Sequence, residues 1–241
     1  MKLNCDLGES FGAWTMPVDS AMMALIDQAN IACGFHAGDP LVMKNALARA
    51  KAHNVAIGAH PSYPDLQGFG RRSMQLPASE LSALIQYQVS ALAGMASLFD
   101  LPLSYVKPHG ALYNDMMKNT ELRHVVMQSI AEFDVNLSLM VQATNQNETL
   151  QKEADSYGIS LLFEAFADRR YTDDGLLTSR TLQGAVLTET EAFEQAKQLI
   201  EFGTVTSSTG KTIPVEADTL CVHGDTQGAV EITRQIRQLL S

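Results

Sequence analysis

Cysteine is scarce in this chain. There are three in 241 residues, Cys5, Cys33 and Cys221. An odd count with no C-x-x-C spacing excludes a disulfide framework and a thiolate zinc site. Each lies in or at the end of an apolar run, where cysteine acts as a small buried residue. Positive charge is also in short supply, with 17 Lys and Arg against 27 Asp and Glu and a formal net charge of −10. That balance argues against nucleic acid, whose binding needs a basic face, and fits a soluble acidic surface. No apolar stretch approaches the ~18–20 residues that span a bilayer, and Met1–Asp6 has no signal-peptide core. No membrane partner is therefore expected, and a reducing cytoplasm suits the unpaired thiols. Pro/Ser-rich linkers and low-complexity tracts are missing too, so residues 1–241 are expected to form a single domain.

What is present is a set of short apolar runs, each leading into a reactive side chain. Seven strands are predicted, at residues 2–6, 29–34, 55–59, 104–107, 136–141, 160–164 and 219–223. Runs of four to eight residues rich in Val, Ile, Leu and Cys read as buried parallel strands. Between them lie segments of helical period. Asp39-Pro40 supplies an N-cap and a first-turn proline for a helix over 41–53. Further helices are predicted over 79–99, 120–133, 147–157, 188–202 and 226–240. Strand and helix in alternation predict an α/β fold with a parallel sheet.

Reactive residues stand at nearly every strand end, which favours an irregular seven-stranded, TIM-like β/α barrel over an open doubly wound sheet with one crevice. The irregularity is expected to leave the barrel incompletely closed, unless Gly184–Leu187 hides an eighth strand. Residues 203–215 interrupt the alternation as a late β-hairpin insertion around Ser208–Lys211. Gly210-Lys211-Thr212 resembles the tail of a phosphate loop. Val205 stands where the motif needs glycine, and no helix follows before Pro214.

In a parallel barrel all strand C-termini face one mouth. Asp6 ends the first strand and Glu9 follows in the loop, although Asp6 could serve only to hold that loop. His36 has no apolar periodicity to explain it, whereas Asp39 is accounted for as a cap. Cys33, inside a strand, is a poor nucleophile candidate. Pro61 and Pro64 keep His60, Asp65, Arg71 and Arg72 on an ordered loop, and arginine forks match carboxylate or phosphate. Lys107 and His109 lie two residues apart, fit to stabilise charge and move a proton. Glu164, Asp168 and Arg169 form a mixed-charge loop, with Arg180 further along, and His223 and Asp225 end the last strand. Asp225 also suits the N-cap of the closing helix. His53 and His124 lie among polar helix residues and carry no assigned chemistry.

Asp6, His60, Lys107, His109, His223 and Asp225 are therefore assigned to catalysis. Glu9, His36, Asp65, Arg71, Arg72, Glu164, Asp168 and Arg169 are assigned to substrate binding. No H-E-x-x-H or H-x-H element supports a metal, and no metal ligand is assigned. Four histidines and two aspartates at strand ends still leave a stand-alone metal-dependent amidohydrolase or deacetylase as the rival reading. A small-molecule binding barrel is a third.

Six segments in order, Asn4–Gly12 (NCDLGESFG), Asn30–Asp39 (NIACGFHAGD), Gly58–Asp65 (GAHPSYPD) with Gly68–Arg72 (GFGRR), Val106–Asn114 (VKPHGALYN), Glu164–Arg169 (EAFADR) and Cys221–Asp225 (CVHGD), closely resemble the LamB/YcsF family. The resemblance covers essentially the whole chain. It implies an irregular seven-stranded barrel of the glycoside hydrolase and deacetylase type. It also implies the ATP-dependent opening of 5-oxoproline to L-glutamate, in company with the 5-oxoprolinase subunits B and C. Because the chain has no recognisable phosphate loop, ATP is expected to act through those partners. They would phosphorylate the amide oxygen, and the barrel would open the activated lactam.

Overall fold

A computed structural model describes residues 1–16, 18–133, 136–180, 182–224 and 228–240. In chain order its elements are β1 (Lys2–Leu7), α1 (Asp19–Met23), β2 (Gln28–Ala32), α2 (Pro40–His53), β3 (Ala56–His60), α3 (Ala78–Ser97), β4 (Leu103–Val106), α4 (Gly110–Lys118) and α5 (Thr120–Ala131). They continue with β5 (Ser138–Gln142), α6 (Asn147–Asp155), β6 (Leu161–Phe166), α7 (Glu189–Phe202), β7 (Thr204–Thr206), β8 (Thr212–Pro214), β9 (Thr219–Cys221) and α8 (Ala229–Leu239). All seven predicted strands are found, within three residues at each end. The short helices α1 and α4 have no counterpart among the predicted elements.

Strands β1, β2, β3, β4, β5, β6 and β9 form a closed barrel. The expectation of incomplete closure is corrected: β9 pairs in parallel with both β6 and β1, joining Glu164 to Thr219 and Asn4 to Cys221. Gly184–Leu187 is not an eighth strand. Its Val186 makes only an isolated bridge to Arg169. The irregularity lies elsewhere, in a register shift between Ile57 and Gly58 and in a β4–β5 pairing of two residues. The hairpin β7–β8 stands apart as its own antiparallel pair. Gly210-Lys211-Thr212 falls in its turn and second strand, so it is no phosphate loop.

Local chemistry explains the helix boundaries. Asp39 accepts from the Leu41 and Val42 amides with Pro40 in the first turn, as expected of a cap. Thr188 and Glu191 form a reciprocal capping box on α7. Buried Arg123 on α5 donates to both carboxylate oxygens of Glu153 on α6 at 2.7 and 3.0 Å.

The strands bury one apolar and one polar face. Leu3, Cys5 and Leu7 are fully buried with the apolar core that surrounds the barrel, and the period of two turns Asn4 and Asp6 the other way. Inside, Tyr105 donates to Asn30 (2.7 Å), Asn30 to Asn4 (2.8 Å) and Asn4 to Thr219 (2.9 Å). Gly58 lies against the Tyr105 ring, and a Cβ there would overlap ring carbons. Gly58→Ala is expected to displace Tyr105 and destabilise the fold by about 1–3 kcal/mol in denaturant titrations.

The Arg123 hydrogen bonds and charge hold Glu153 below the usual carboxylate range. A depressed folded pKa gives stability that is present above the unfolded value of ~4.3 and lost as pH falls through the folded value. Glu153→Gln should thus cost about 1.5 kcal/mol at neutral pH and close to nothing in acid below both values.

Candidate active site

Lys107, one residue beyond β4, stands at the centre of the barrel mouth. Its ammonium lies 2.7 Å from Glu164 Oε1 and 2.9 Å from Asp6 Oδ1. Asn4 Oδ1 and Cys221 Sγ follow at 3.4 Å each. Burial alone would lower its pKa, but the facing Asp6, Cys221 and Glu164 hold it well above the ordinary lysine value. Its donors are thus engaged by the protein, and Lys107 acts first as a clamp on two carboxylates. Tyr113, from α4, donates to the other oxygen of Glu164 at 2.9 Å.

Asp6 is held from several sides. Asn30 donates to Oδ1 at 2.8 Å, while Oδ2 faces His60 Nε2 at 3.3 Å and His223 Nε2 at 3.9 Å. Burial opposes ionisation, but His60 and Lys107 keep this carboxyl well below its ordinary range. His223 in turn presents Nδ1 to both oxygens of Asp168, at 2.9 and 3.0 Å. A carboxylate on Nδ1 fixes the tautomer and leaves the Nε2 lone pair toward Asp6. Asp168 is buried, yet the facing His223 holds its carboxyl below the usual range.

A second histidine group lies beside the first. His60 Nδ1 is 2.7 Å from the Lys107 carbonyl, and His109 Nε2 is 2.9 Å from the Phe69 carbonyl. Their other ring nitrogens, His60 Nε2 and His109 Nδ1, meet at 2.9 Å. His36 stacks parallel on His109 with ring centres 3.7 Å apart, and its Nε2 reaches Glu9 Oε1 at 3.1 Å. Burial pushes the His36 and His109 pKa values well below the usual histidine range.

These groups open on a cleft of about 370 Å³ lined by Asp6, Glu9, His60, Lys107, His109 and His223 on its floor. Arg71, Arg169, Arg180 and Lys118 line its walls. Arg71 lies over the Phe69 ring at 5.0 Å. Arg169 is buried, donates to the Thr178 carbonyl at 2.7 Å, and has an Nε with no hydrogen-bond partner among the described residues. Burial and the neighbouring Arg180 push its pKa down to about 10. Such a site can move protons on its floor and hold an anion on its walls.

Of the residues assigned from sequence, Asp6, His60, Lys107, His109 and His223 converge, as do Glu9, Arg71 and Arg169. His36, Glu164 and Asp168 are buried directly behind them. Asp65 and Arg72 are different and do not line the cleft. Asp65 accepts from the Gly68 and Arg72 amides and pairs with the Arg72 guanidinium, whose side chain is 62% exposed. They brace their loop, because a buried carboxylate takes the nearest donors. Asp225 lies outside the described residues, and the described N-cap of α8 is Gly228. Burial pushes the Cys33 thiol up to about 12, in keeping with an unreactive core residue.

Asn4, Asn30, Tyr113, Cys221 and Arg180 have no site role assigned from sequence, yet they touch the reactive groups or line the cleft, and Tyr105, likewise unassigned, holds Asn30 in place. The period of two carries part of that signal, in Asn4-x-Asp6, Tyr105-x-Lys107 and Cys221-x-His223.

Comparison with known proteins identifies the family. Over 241 residues the chain is 53% identical to the A subunit of 5-oxoprolinase from Vibrio cholerae, covering 100% of this chain and 97% of that one. It is 49% identical over 240 residues to the protein of that name from Pseudomonas fluorescens, covering 99% and 96%. The crystal structure of a lactam utilization protein from Thermus thermophilus superposes with a TM-score of 0.90 at 39% identity, over 100% of this chain and 95% of that one. The LamB/YcsF family model matches residues 1–241 from end to end. With that match and those identities, the chain belongs to the LamB/YcsF family.

Proposed function

We propose that this chain opens the lactam ring of 5-oxoproline to L-glutamate, as one component of an ATP-dependent 5-oxoprolinase working with subunits B and C in the cytoplasm. The observation that carries the reading is full-length likeness, at about half identity, to proteins named as the A component of that enzyme. The cleft supplies suitable chemistry. Its floor holds a carboxylate-backed imidazole, and its walls carry guanidinium groups that suit a substrate carboxylate or a phosphoryl group.

An unactivated lactam is resonance-stabilised, and general acid–base help of ~10²–10⁴-fold is small against that. Phosphorylation of the amide oxygen by the partner subunits, with ATP, makes the ring carbon electrophilic. His223, steadied by Asp168, takes a proton from water as the water adds to that carbon. The new hydroxyl then gives its remaining proton to the Asp6 carboxylate as the carbonyl forms, the ring C–N bond breaks, and the nitrogen takes a proton from His223. The acyl phosphate so formed is hydrolysed by a second water to glutamate and phosphate. Lys107 and Asn30 hold Asp6 against the reacting centre. Arg169, with Arg71 and Arg180 on the same walls, binds the anion.

Glutamate formation from 5-oxoproline and ATP, assayed with each component omitted in turn, tests the reading. Activity is expected only when all are present. In the complete mixture His223→Gln should lower kcat by ~10²–10⁴-fold, and Arg169→Met should raise KM ~10-fold or more with a smaller change in kcat. Full activity without this chain, or wild-type kinetics for both variants, would rule the assignment out.

A further inference from the structure

We infer that Glu9, His60 and His109 form a binding site for one divalent transition-metal ion at the floor of the cleft. The starting point is a count of protons. A neutral imidazole carries one N–H. His60 directs its Nδ1 to the Lys107 carbonyl and His109 its Nε2 to the Phe69 carbonyl. A carbonyl only accepts, so each ring's proton is committed there. Two lone pairs are then left facing each other across 2.9 Å, at His60 Nε2 and His109 Nδ1.

Carboxylate oxygens close the same space. Asp6 Oδ2 is 3.3 Å from His60 Nε2, and Glu9 Oε1 is 3.5 Å from His109 Nδ1. Lone pairs gathered this closely in a buried site repel one another unless a proton or a metal cation lies among them. The ligand atoms of Glu9, His36, His60 and His109 all lie within 4.8 Å of one another.

The spacings suit a metal. With metal–ligand bonds of about 2.1 Å, adjacent ligands are ~3.0 Å apart in an octahedron and ~3.4 Å apart in a tetrahedron. The observed separations of 2.9 and 3.5 Å fall at those values. A backbone carbonyl on the far nitrogen of each imidazole is the usual outer support of a metal-ligating histidine. Two imidazoles and a carboxylate select a transition ion such as Zn²⁺ or Mn²⁺ over Ca²⁺ or Mg²⁺. His36, whose ring is parallel to His109, cannot aim a lone pair at the same ion. Its Nε2 meets Glu9 Oε1 and orients that carboxylate instead. Because Glu9, His60 and His109 also line the cleft, the ion would keep open positions toward a bound substrate.

The inference needs no turnover and no partner subunit, so it stands or falls separately from the proposed reaction. Chelator-stripped full-length chain is titrated calorimetrically with Zn²⁺ alone and with Mn²⁺ alone. One equivalent is expected to bind. His109→Gln and Glu9→Gln should each weaken binding ~100-fold or more, and His36→Gln about 10–100-fold. His53→Gln, on the far-off surface of α2, should bind as wild type does. If His109→Gln does not fold, Glu9→Gln decides, because Glu9 lies in the loop after β1. Less than ~0.1 equivalent bound, with ¹⁵N shifts showing a shared proton on the His60–His109 pair, would overturn the site. So would wild-type affinity in a folded Glu9→Gln or His109→Gln chain.

Discussion

A single buried ammonium balances two buried carboxylates at the heart of this barrel, and the rest of the mouth is arranged around it. Lys107 sits 2.7 Å from Glu164 and 2.9 Å from Asp6, groups brought together from β6, β1 and the residue that follows β4. A carboxylate taken out of water is costly to leave unpaired. His60 and Lys107 together hold Asp6 below its ordinary carboxylate range against the cost of burial, with Asn30 donating to the oxygen that Lys107 also grips. The clamp also explains why the barrel interior is polar. Asn4, Asn30, Tyr105 and Thr219 form an unbroken hydrogen-bonded chain beneath it.

From that clamp the site divides in two. One side is the Asp168–His223 pair, a carboxylate behind an imidazole with its free nitrogen toward the cleft. The other is the His60–His109–Glu9 group, whose rings are locked by backbone carbonyls. The guanidinium groups of Arg71, Arg169 and Arg180 line the same cleft. Among the described residues the buried Arg169 Nε has no hydrogen-bond partner, a cost that an incoming anion can remove. On the proposed reading, this cleft takes a small anionic substrate carrying a bond to be hydrolysed.

Much of this was legible in the sequence. Each strand was visible because a short apolar run in a barrel is buried on at least one face, and Asp39-Pro40 and the 203–215 hairpin announced their own turns. The reactive residues were visible because strand ends in such a barrel share one mouth. The inner polar face was harder to see. Asn30 and Tyr105 read as ordinary strand residues until their register across β2, β3 and β4 is known. Asp65 and Arg72 misled because an arginine near a predicted mouth looks the same in sequence whether it faces the cleft or the nearest carboxylate. Closure could not be read either. It depends on β9 pairing with both β6 and β1, and a three-residue strand carries little pattern of its own.

The most direct test of the clamp separates its charge balance from its chemistry. Stability and glutamate-forming activity are measured for Lys107→Met and for Lys107→Met combined with Glu164→Gln. Loss of the ammonium alone should destabilise the fold by about 3–5 kcal/mol, since two carboxylates lose their partner. Neutralising Glu164 as well should restore at least half of that stability while activity stays lost, because Asp6 still lacks its clamp. A Lys107→Met chain with unchanged stability, or a double variant that regains activity, would contradict the account.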